Sequence, residues 1–284
     1  MQIVETPRDA MQGIKEFIPT EKKIEFVNSL FKVGYDAVDV GSFVSPRAIP
    51  QLADTARVVE NLDTAGSQTK VMVTVGNLRG AQKAMQFDII DQIAFPYSMS
   101  NTFLKLNINS NHEKAIATVS DILELCDKNG KELVLYNAMA FGNAYGDEWS
   151  PQLVAEDTLA LSKTGVKYLI LSDTIAVGTA RSIGETFKIV MSEFPELVIG
   201  AHLHTTPDDW FENVKAAWDN GCRRFDAVIN GKGGCPMSKR KMVGNLATTN
   251  LLLFLENIGE KITLDIKAFN KALKLADSIF QAKG

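Results

Sequence analysis

Short apolar segments alternate with longer amphipathic segments along the 284-residue chain, and the apolar segments have the length of buried strands. Strands that are apolar throughout are typical of a parallel sheet that helices cover on both faces. Eight such strand–helix units favour a closed (β/α)8 TIM barrel over an open doubly wound sheet. The eight segments are QIVE (2–5), DAVDVGSF (36–43), KVMVTV (70–75), QIAFPYS (92–98), ELVLYNAM (132–139), YLILSD (168–173), LVIGAHLH (197–204) and RFDAVI (224–229).

The segments between the predicted strands carry start and stop signals of helices. The segment 113–130 has hydrophobic residues at helical spacing and ends on an Asn-Gly pair, which indicates a C-cap. Ser150 precedes a proline, as an N-cap residue often does, and Ser182 with Glu185 predicts a capping box. The last segment, 264–284, predicts an additional amphipathic helix after the barrel.

Composition and charge exclude several classes of function. The hydrophobic fraction of 45% and the net charge of −4 are those of an ordinary globular protein, and no long basic tract indicates nucleic-acid binding. No apolar run reaches the length of about 18 residues that a membrane span needs, and the first predicted strand leaves no room for a targeting segment. Three scattered cysteines do not make a disulfide framework. We therefore expect one domain over residues 1–284, located in the cytoplasm, with no nucleic-acid or membrane partner.

Polar side chains gather where the predicted strands end, which is the face that carries the active site in TIM barrels. Two of the three histidines, His202 and His204, end the seventh strand, and residues two apart in a strand share one face. We expect them to meet Asp9 at the barrel mouth, and two imidazoles with a carboxylate predict a divalent-metal site. A hydrogen-bonded histidine pair beside a structural acid is the alternative. The other polar residues at strand ends are Arg8, Asp39, Ser42, Asp173, Thr174 and the stretch 230–236.

Six short motifs occur together in one order over nearly the whole sequence, and they carry a family resemblance. The chain resembles the hydroxymethylglutaryl-CoA (HMG-CoA) lyases, which belong to the DRE-TIM metallolyases. An H-x-H pair is shared by the wider superfamily, whereas SFVSP, and GGCP with an asparagine ten residues after its cysteine, are more specific to this branch. The motifs are ETPRDAMQ (5–12), SFVSP (42–46), LSDTIAVGT (171–179), AHLH (201–204), GGCP (233–236) and GNLAT (244–248).

The resemblance implies a set of metal ligands. Asp9, His202, His204 and Asn245 match the positions that bind the metal in the family, and through that metal they take part in catalysis. A carboxylate, an amide oxygen and two imidazoles, with positions left open for substrate, suit Mg²⁺ or Mn²⁺ better than a closed zinc site. For Asn245 the residue type also allows a helix N-cap, where asparagine is favoured.

The resemblance also implies catalytic roles. Arg8 matches the arginine that stabilises the enolate formed on cleavage, and Cys235 matches a loop cysteine that takes part in proton transfer. Asp39 and Asp173 stand where the family carries supporting acids. His202 is also a candidate base, because the ordinary pKa of histidine lies near neutral pH. A simple ion pair at Arg8 and a purely structural role for the cysteine are the alternatives.

Substrate contacts are expected at the barrel mouth and in a basic loop after GGCP. Relatives are mostly neutral and small in that loop, so its positive charges here are expected to reach a CoA phosphate or a second carboxylate. Solvated surface charge is the alternative. The residues expected to bind substrate are Arg8, Gln12, Ser42, Thr174, Lys239 and Arg240.

The implied reaction is the retro-Claisen cleavage of an acyl-CoA substrate, HMG-CoA, into acetyl-CoA and acetoacetate, and the implied assembly is a homodimer. Three departures from the family pattern keep another interpretation open. Asp39 replaces a glutamate, Thr205 replaces an aspartate and Ala10 replaces a glycine. A related aldolase or lyase that acts on a different hydroxy-acyl thioester or hydroxy acid is therefore the alternative, and a non-catalytic barrel is a third interpretation.

Overall fold

Eight parallel strands close into a barrel, so the prediction of a TIM barrel is confirmed. The structure is a computed structural model, and it describes residues 1–14, 16–233 and 243–280. Each strand pairs with the next one along the chain, and the eighth pairs with the first. The strands are β1 (Gln2–Glu5), β2 (Ala37–Ser42), β3 (Lys70–Thr74), β4 (Gln92–Ser98), β5 (Glu132–Ala138), β6 (Tyr168–Asp173), β7 (Val198–Leu203) and β8 (Arg224–Ala227).

Helices surround the barrel and complete the strand–helix repeat. Within the described ranges they are α1 (Pro7–Gln12), α2 (Thr20–Leu30), α3 (Thr55–Glu60), α4 (Leu78–Ala84), α5 (Asn101–Ile108), α6 (His112–Lys128), α7 (Pro151–Ser162), α8 (Ala180–Glu193), α9 (Trp210–Asp219), α10 (Thr248–Asn257) and α11 (Ile266–Phe280). The last of them confirms the predicted C-terminal helix. Its Phe280 packs edge-on against Phe26 of α2, with ring centroids 5.4 Å apart. No helix in these ranges is long and apolar enough to cross a membrane.

The inside of the barrel has an apolar layer and, nearer the carboxyl ends of the strands, a polar layer. Toward the carboxyl ends of β2, β5, β7 and β8, the inward-facing residues are Asp39, Tyr136, His202 and Asp226. The register of β7 and β8 places His202 directly beside Asp226. The polar layer therefore lies at the face where TIM barrels carry their chemistry. The apolar layer consists of Val4, Ala37, Met72, Ala94, Val134 and Ile170, and the ring of Tyr136 packs against it.

The helix caps confirm two of the local predictions and correct the third. Ser150 caps α7 by accepting a hydrogen bond from the backbone of Leu153, and α6 ends on the predicted Asn-Gly pair. The prediction of a capping box from Ser182 to Glu185 is wrong. Thr179 is the N-cap residue of α8 and forms the box with Ser182, because the helix begins three residues earlier than the pattern of acidic residues indicates.

A tyrosine–aspartate–histidine cluster lies outside the barrel, between the strands and the helices. Asp157 of α7 accepts hydrogen bonds from Tyr97 of β4 at 2.5 Å and from Asn137 of β5 at 2.9 Å. His112, the first residue of α6, places Nε2 2.8 Å from the same carboxylate. The hydrogen bond to Asp157 raises the pKa of His112, although partial burial opposes it. The cluster ties α6 and α7 to the sheet.

This cluster predicts a pH-dependent contribution to stability. Because the pKa of His112 is higher in the folded than in the unfolded protein, its contribution is complete below the unfolded value of about 6.5 and is lost as the pH rises through the folded value. We expect His112→Gln to lower the free energy of unfolding more at about pH 6 than at about pH 9. Urea unfolding of both proteins at the two pH values measures this difference, and an equal loss at both would contradict the prediction.

Candidate metal centre

Three buried ligand groups meet at the mouth of the barrel. Asp9 lies in the short helix α1, which begins at Pro7 directly after β1, and His202 and His204 lie at the end of β7. One ligand atom from each of the three residues lies within 4.8 Å of the other two. The structure therefore brings together the carboxylate that follows the first strand and the histidine pair that ends the seventh, as the sequence predicts.

Both histidines hold one ring nitrogen away from this cluster. Nδ1 of His202 lies 3.3 Å from a carboxylate oxygen of Asp226, and Nδ1 of His204 lies 3.2 Å from the backbone carbonyl of Val243. The two ring centroids are 5.4 Å apart. Because each Nδ1 faces an acceptor, each imidazole keeps Nε2 for another partner. Metal-binding histidines typically have one ring nitrogen facing an acceptor and the other nitrogen available to the metal.

Asn245 adds an oxygen to the same cluster. Its side-chain nitrogen donates to Asp9 at 2.7 Å and to the carbonyl of Lys232 at 2.8 Å, and its Oδ1 is buried with no hydrogen-bond partner among the described residues. The alternative role as a helix cap is wrong, since α10 begins at Thr248 with Ala247 in the N-cap position. A buried acceptor without a donor is costly, and a cation beside Asp9 would give Oδ1 its missing partner.

Arg8 is fixed between two carboxylates next to the ligand cluster. Its Nε donates to Asp39 at 2.8 Å, and its Nη1 donates to Asp9 at 2.9 Å and to Gln12 at 3.1 Å. Gln12 also donates to Asp9 at 2.5 Å, and Thr74 donates to Asp39 at 3.0 Å. Both carboxylates and the guanidinium are therefore held in fixed orientations at the mouth.

Burial and mutual charge shift the pKa values of these groups in different directions. Burial raises the pKa of Asp9, but the charges of Arg8 and the two histidines outweigh it, so the pKa is lowered overall. Burial, together with the neighbouring His202, lowers the pKa of His204 to about 4. For Asp39 burial prevails over the attraction of Arg8, and its pKa is raised. Burial lowers the pKa of His202, but the hydrogen bond to Asp226 and the charges of Asp226 and Asp9 outweigh it, so the pKa is raised overall. At neutral pH the cluster presents the Asp9 carboxylate and a neutral His204, the forms that bind metal ions.

Other predicted site residues lie apart from this cluster. Asp173 accepts hydrogen bonds from the backbone of Val177 and Gly178, and burial raises its pKa to about 6. The hydroxyl of Thr174 accepts from the backbone of Met139. That of Ser42 accepts from the backbone of Val44. These contacts order the loops around the mouth, so the roles predicted for these three residues in catalysis and substrate binding stay predictions. Cys235, Lys239 and Arg240 lie outside the described residues.

Two residues of the polar layer were missed in the sequence. Asp226 faces His202, and the hydroxyl of Tyr136 donates to Asp226 at 2.6 Å. Both occupy inward positions of predicted strands. Alternation along the segment RFDAVI places its aspartate on one face with the arginine two residues earlier. That period-two signal identifies an inward acid, whereas the partner across the barrel is visible only in the structure.

Comparison with known proteins gives the family. The family model described as HMGL-like matches residues 1–276. The cytoplasmic 3-hydroxy-3-methylglutaryl-CoA lyase of Rattus norvegicus is 32% identical over 99% of this chain and 81% of its own length. The mitochondrial hydroxymethylglutaryl-CoA lyase of Bos taurus is 32% identical over 91% of this chain and 79% of its own length. Because these names give two compartments, location in the cytoplasm stays a prediction.

Solved structures agree with this assignment. An HMG-CoA lyase of Brucella melitensis superposes with a TM-score of 0.91 at 30% identity and covers 99% of both chains. An HMG-CoA lyase of Acinetobacter baumannii, solved with coenzyme A and 3-methylmalate, superposes with a TM-score of 0.90 at 28% identity over 99% of this chain and 91% of its own. The protein therefore belongs to the HMGL-like family and is a carbon–carbon lyase.

Proposed function

We propose that this lyase depends on a divalent cation, Mg²⁺ or Mn²⁺, and cleaves HMG-CoA into acetyl-CoA and acetoacetate. The observation that carries the proposal is the buried cluster of Asp9, His202 and His204 directly beside the guanidinium of Arg8. The 32% identity over the full chain to a protein named as an HMG-CoA lyase supports the substrate. Coenzyme A in a structural relative supports an acyl-CoA ligand. The homodimer stays a prediction.

The residues present fit a cation of this kind. Asp9, Asn245 and the two histidines would hold it, and the buried Oδ1 of Asn245 has no other partner among the described residues. Oxygen ligands mixed with two imidazoles suit Mg²⁺ or Mn²⁺. When bound, such an ion would orient the substrate hydroxyl and lower its pKa. The chain contributes by presenting four ligands that its own hydrogen bonds keep in place.

Arg8 stabilises the charge that appears when the carbon–carbon bond breaks. Cleavage leaves the two-carbon fragment as a thioester enolate, with negative charge on the thioester oxygen. Asp39 and Asp9 hold the guanidinium in one orientation, so it meets that charge without reorganising. Fixed donors aimed at developing charge are among the largest contributions to catalysis.

The proton of the substrate hydroxyl needs an acceptor other than His202. Its Nδ1 faces Asp226, and a nitrogen that binds a cation cannot accept a proton at the same time. Asp39 is the acceptor in this proposal, because its Oδ1 is buried without a partner among the described residues and burial raises its pKa. Cys235 returns a proton to the enolate carbon, a role that rests on the family resemblance.

A related lyase acting on another hydroxy-acyl thioester is the second candidate. The observation that favours it is again Asp39, which stands where the family carries a longer acid. Its unpaired Oδ1 beside Arg8 offers an acceptor to a substrate that carries an additional donor there. The two candidates share the metal and the bond that breaks, and they differ only in the acyl group.

A coupled assay for acetyl-CoA and acetoacetate separates these candidates. Purified protein is treated with EDTA and then supplied with Mn²⁺ or Mg²⁺, with HMG-CoA and a panel of other 3-hydroxy-acyl thioesters as substrates. We expect cleavage of HMG-CoA that disappears with EDTA and returns with metal. Cleavage of another thioester alone would favour the second candidate. Full activity in metal-free protein would overturn the proposed metal dependence.

The close approach of Gly233 to the ligands gives a separate prediction. A Cβ atom there would lie 2.5 Å from the carbonyl oxygen of Asp9 and 2.9 Å from the side-chain nitrogen of Asn245, and its φ is +94°. We therefore expect Gly233→Ala to weaken Mn²⁺ binding by about tenfold or more, as damage to the residues that support metal ligands commonly does. Isothermal titration with Mn²⁺ measures the effect.

Gly66→Ala is the matched control, since Gly66 has a φ of +74° but a Cβ atom there would have no atom of the described residues within 4 Å. Both variants carry the strain of a left-handed residue, roughly 1–2 kcal/mol. Only Gly233→Ala crowds the ligands. Equal Mn²⁺ affinities for the two variants would show that the contact with Asp9 and Asn245 does not matter for the site.

A further inference from the structure

We propose that Asp226 and Tyr136 are positioning residues that orient His202, with its Nδ1 at the Asp226 carboxylate, so that Nε2 is left to bind a metal ion at the cluster. The inference rests on the proposed function, since it assigns His202 to the metal. Asp226 and Tyr136 reach the cluster through their contacts with His202.

The three side chains form one buried unit across the barrel. Oδ2 of Asp226 accepts a hydrogen bond from the hydroxyl of Tyr136 at 2.6 Å and lies 3.3 Å from Nδ1 of His202. The Tyr136 ring stands edge-on to the imidazole, with centroids 5.7 Å apart and planes at 83°. The register of β7 and β8 places Asp226 directly beside His202. The contacts with Asp226 and with the Tyr136 ring therefore fix both the position and the rotation of the imidazole.

The chemistry of the partners decides which nitrogen carries the proton. A neutral imidazole has one N–H, and a carboxylate can only accept. Because Asp226 faces Nδ1, the proton stays on Nδ1 and the lone pair of Nε2 points toward Asp9 and His204. The backbone carbonyl of Val243 does the same for His204. For His202 the acceptor is a side chain, so this control of the tautomer can be removed by substitution.

Asp226→Asn tests the proposal with little change in shape. Its amide can donate to Nδ1, which moves the imidazole proton to Nε2 and blocks the metal-binding nitrogen, as aspartate-to-asparagine exchange beside a catalytic histidine does elsewhere. We expect Mn²⁺ affinity, measured by electron paramagnetic resonance of free Mn²⁺, to fall roughly 10- to 100-fold. Tyr136→Phe keeps the carboxylate and is expected to cause a smaller loss.

The tautomer itself gives a readout that needs no metal. The chain has three histidines, so ¹⁵N-histidine labelling gives three ring systems. Long-range ¹⁵N–¹H spectra identify the protonated nitrogen in each ring. In metal-free wild type we expect His202 to be protonated on Nδ1. In Asp226→Asn we expect the Nε2-protonated form to grow in proportion to the lost affinity.

Asp157→Asn is the matched control, because it alters a cluster of the same composition outside the barrel. Asp157 lies between Tyr97 and His112, whose rings are 5.8 Å apart. We expect this variant to lose thermal stability and to keep Mn²⁺ affinity within about twofold of wild type, as distant sites act independently. A loss of affinity caused by general destabilisation would appear in both variants.

The outcomes separate this inference from the proposed function. If wild type binds Mn²⁺ and Asp226→Asn binds it equally well, the positioning role is overturned and the proposed function stands. If Asp226→Asn does not fold, Tyr136→Phe decides, and an unchanged tautomer and affinity there overturn the inference. A wild type that binds no Mn²⁺ overturns the proposed function and the inference with it.

Discussion

Asp9→Ala is expected to remove metal binding and turnover together while the barrel stays folded. Asp9 supplies a carboxylate to the cluster, orients Asn245 and contacts Arg8, so no other described residue replaces it. A bound cation contributes several kcal/mol to catalysis, and each 1.36 kcal/mol is tenfold in rate. We expect turnover to fall by more than about a thousandfold. His202→Ala is expected to behave in the same way.

Asp91→Ala serves as the control for this variant. Asp91 lies at the opposite end of the barrel, where its carboxylate accepts a hydrogen bond from the backbone of Val71 at 2.7 Å. Its loss removes a carboxylate and a hydrogen bond but leaves the mouth intact. Mn²⁺ titration, circular dichroism and the coupled assay are measured on both proteins. A folded Asp9→Ala that keeps near-normal turnover would disprove the proposed centre.

The sequence predicts the barrel well because its signals are local and repeated. Each strand is an apolar segment between helix signals, and eight repeats leave few other ways to bury them. The pairing of His202 and His204 is predictable for the same reason, since a strand alternates with a period of two. Asp9 could be placed at the mouth because it follows the first strand. These inferences need only the order of elements and the fold.

The orientation of single side chains depends on details that the pattern does not carry. Asp173 ends β6 beside the mouth, yet its carboxylate accepts from the backbone of Val177 and Gly178. A shift of one residue in a strand exchanges the inward and outward faces, and the inward neighbour here is Ser172. The ladder between β2 and β3 also shifts register between Asp39 and Gly41. Local alternation cannot show such a shift, because it results from pairing with the next strand.

Contacts across the barrel are the other part that sequence reasoning missed. Tyr136 and Asp226 are separated by 90 residues and meet because β5 and β8 face each other inside the barrel. Neither segment carries a signal for the other. The same holds for the hydrogen bond between Asn245 and Asp9, two residues that are 236 positions apart in the sequence. Such pairs depend on how the barrel closes and on how far each side chain extends, so they can be identified only when the positions of the strands are known.

Arg8→Lys is expected to lower kcat by roughly 100- to 1000-fold with little change in KM, a loss typical of removing a fixed donor to developing charge. The planar guanidinium reaches Asp39 through Nε and Asp9 through Nη1 at the same time. A lysine ammonium is a single point charge and cannot reproduce this double contact. The enolate exists only after the bond breaks, so the lost interaction belongs to the transition state rather than to substrate binding.

The readout must separate this role of Arg8 from its support of Asp9. We therefore expect the loss in kcat to persist when Mn²⁺ saturates the variant, because refilling the site does not restore the guanidinium. Arg181→Lys is the matched control, since Arg181 is exposed on α8 and pairs with Glu185 on the same helix. Surface ion pairs of this kind contribute little to stability, so this exchange is expected to leave the fold and the mouth unchanged. If saturating Mn²⁺ restores full kcat to Arg8→Lys, Arg8 acts by holding Asp9, and the charge on the enolate must be met by another group.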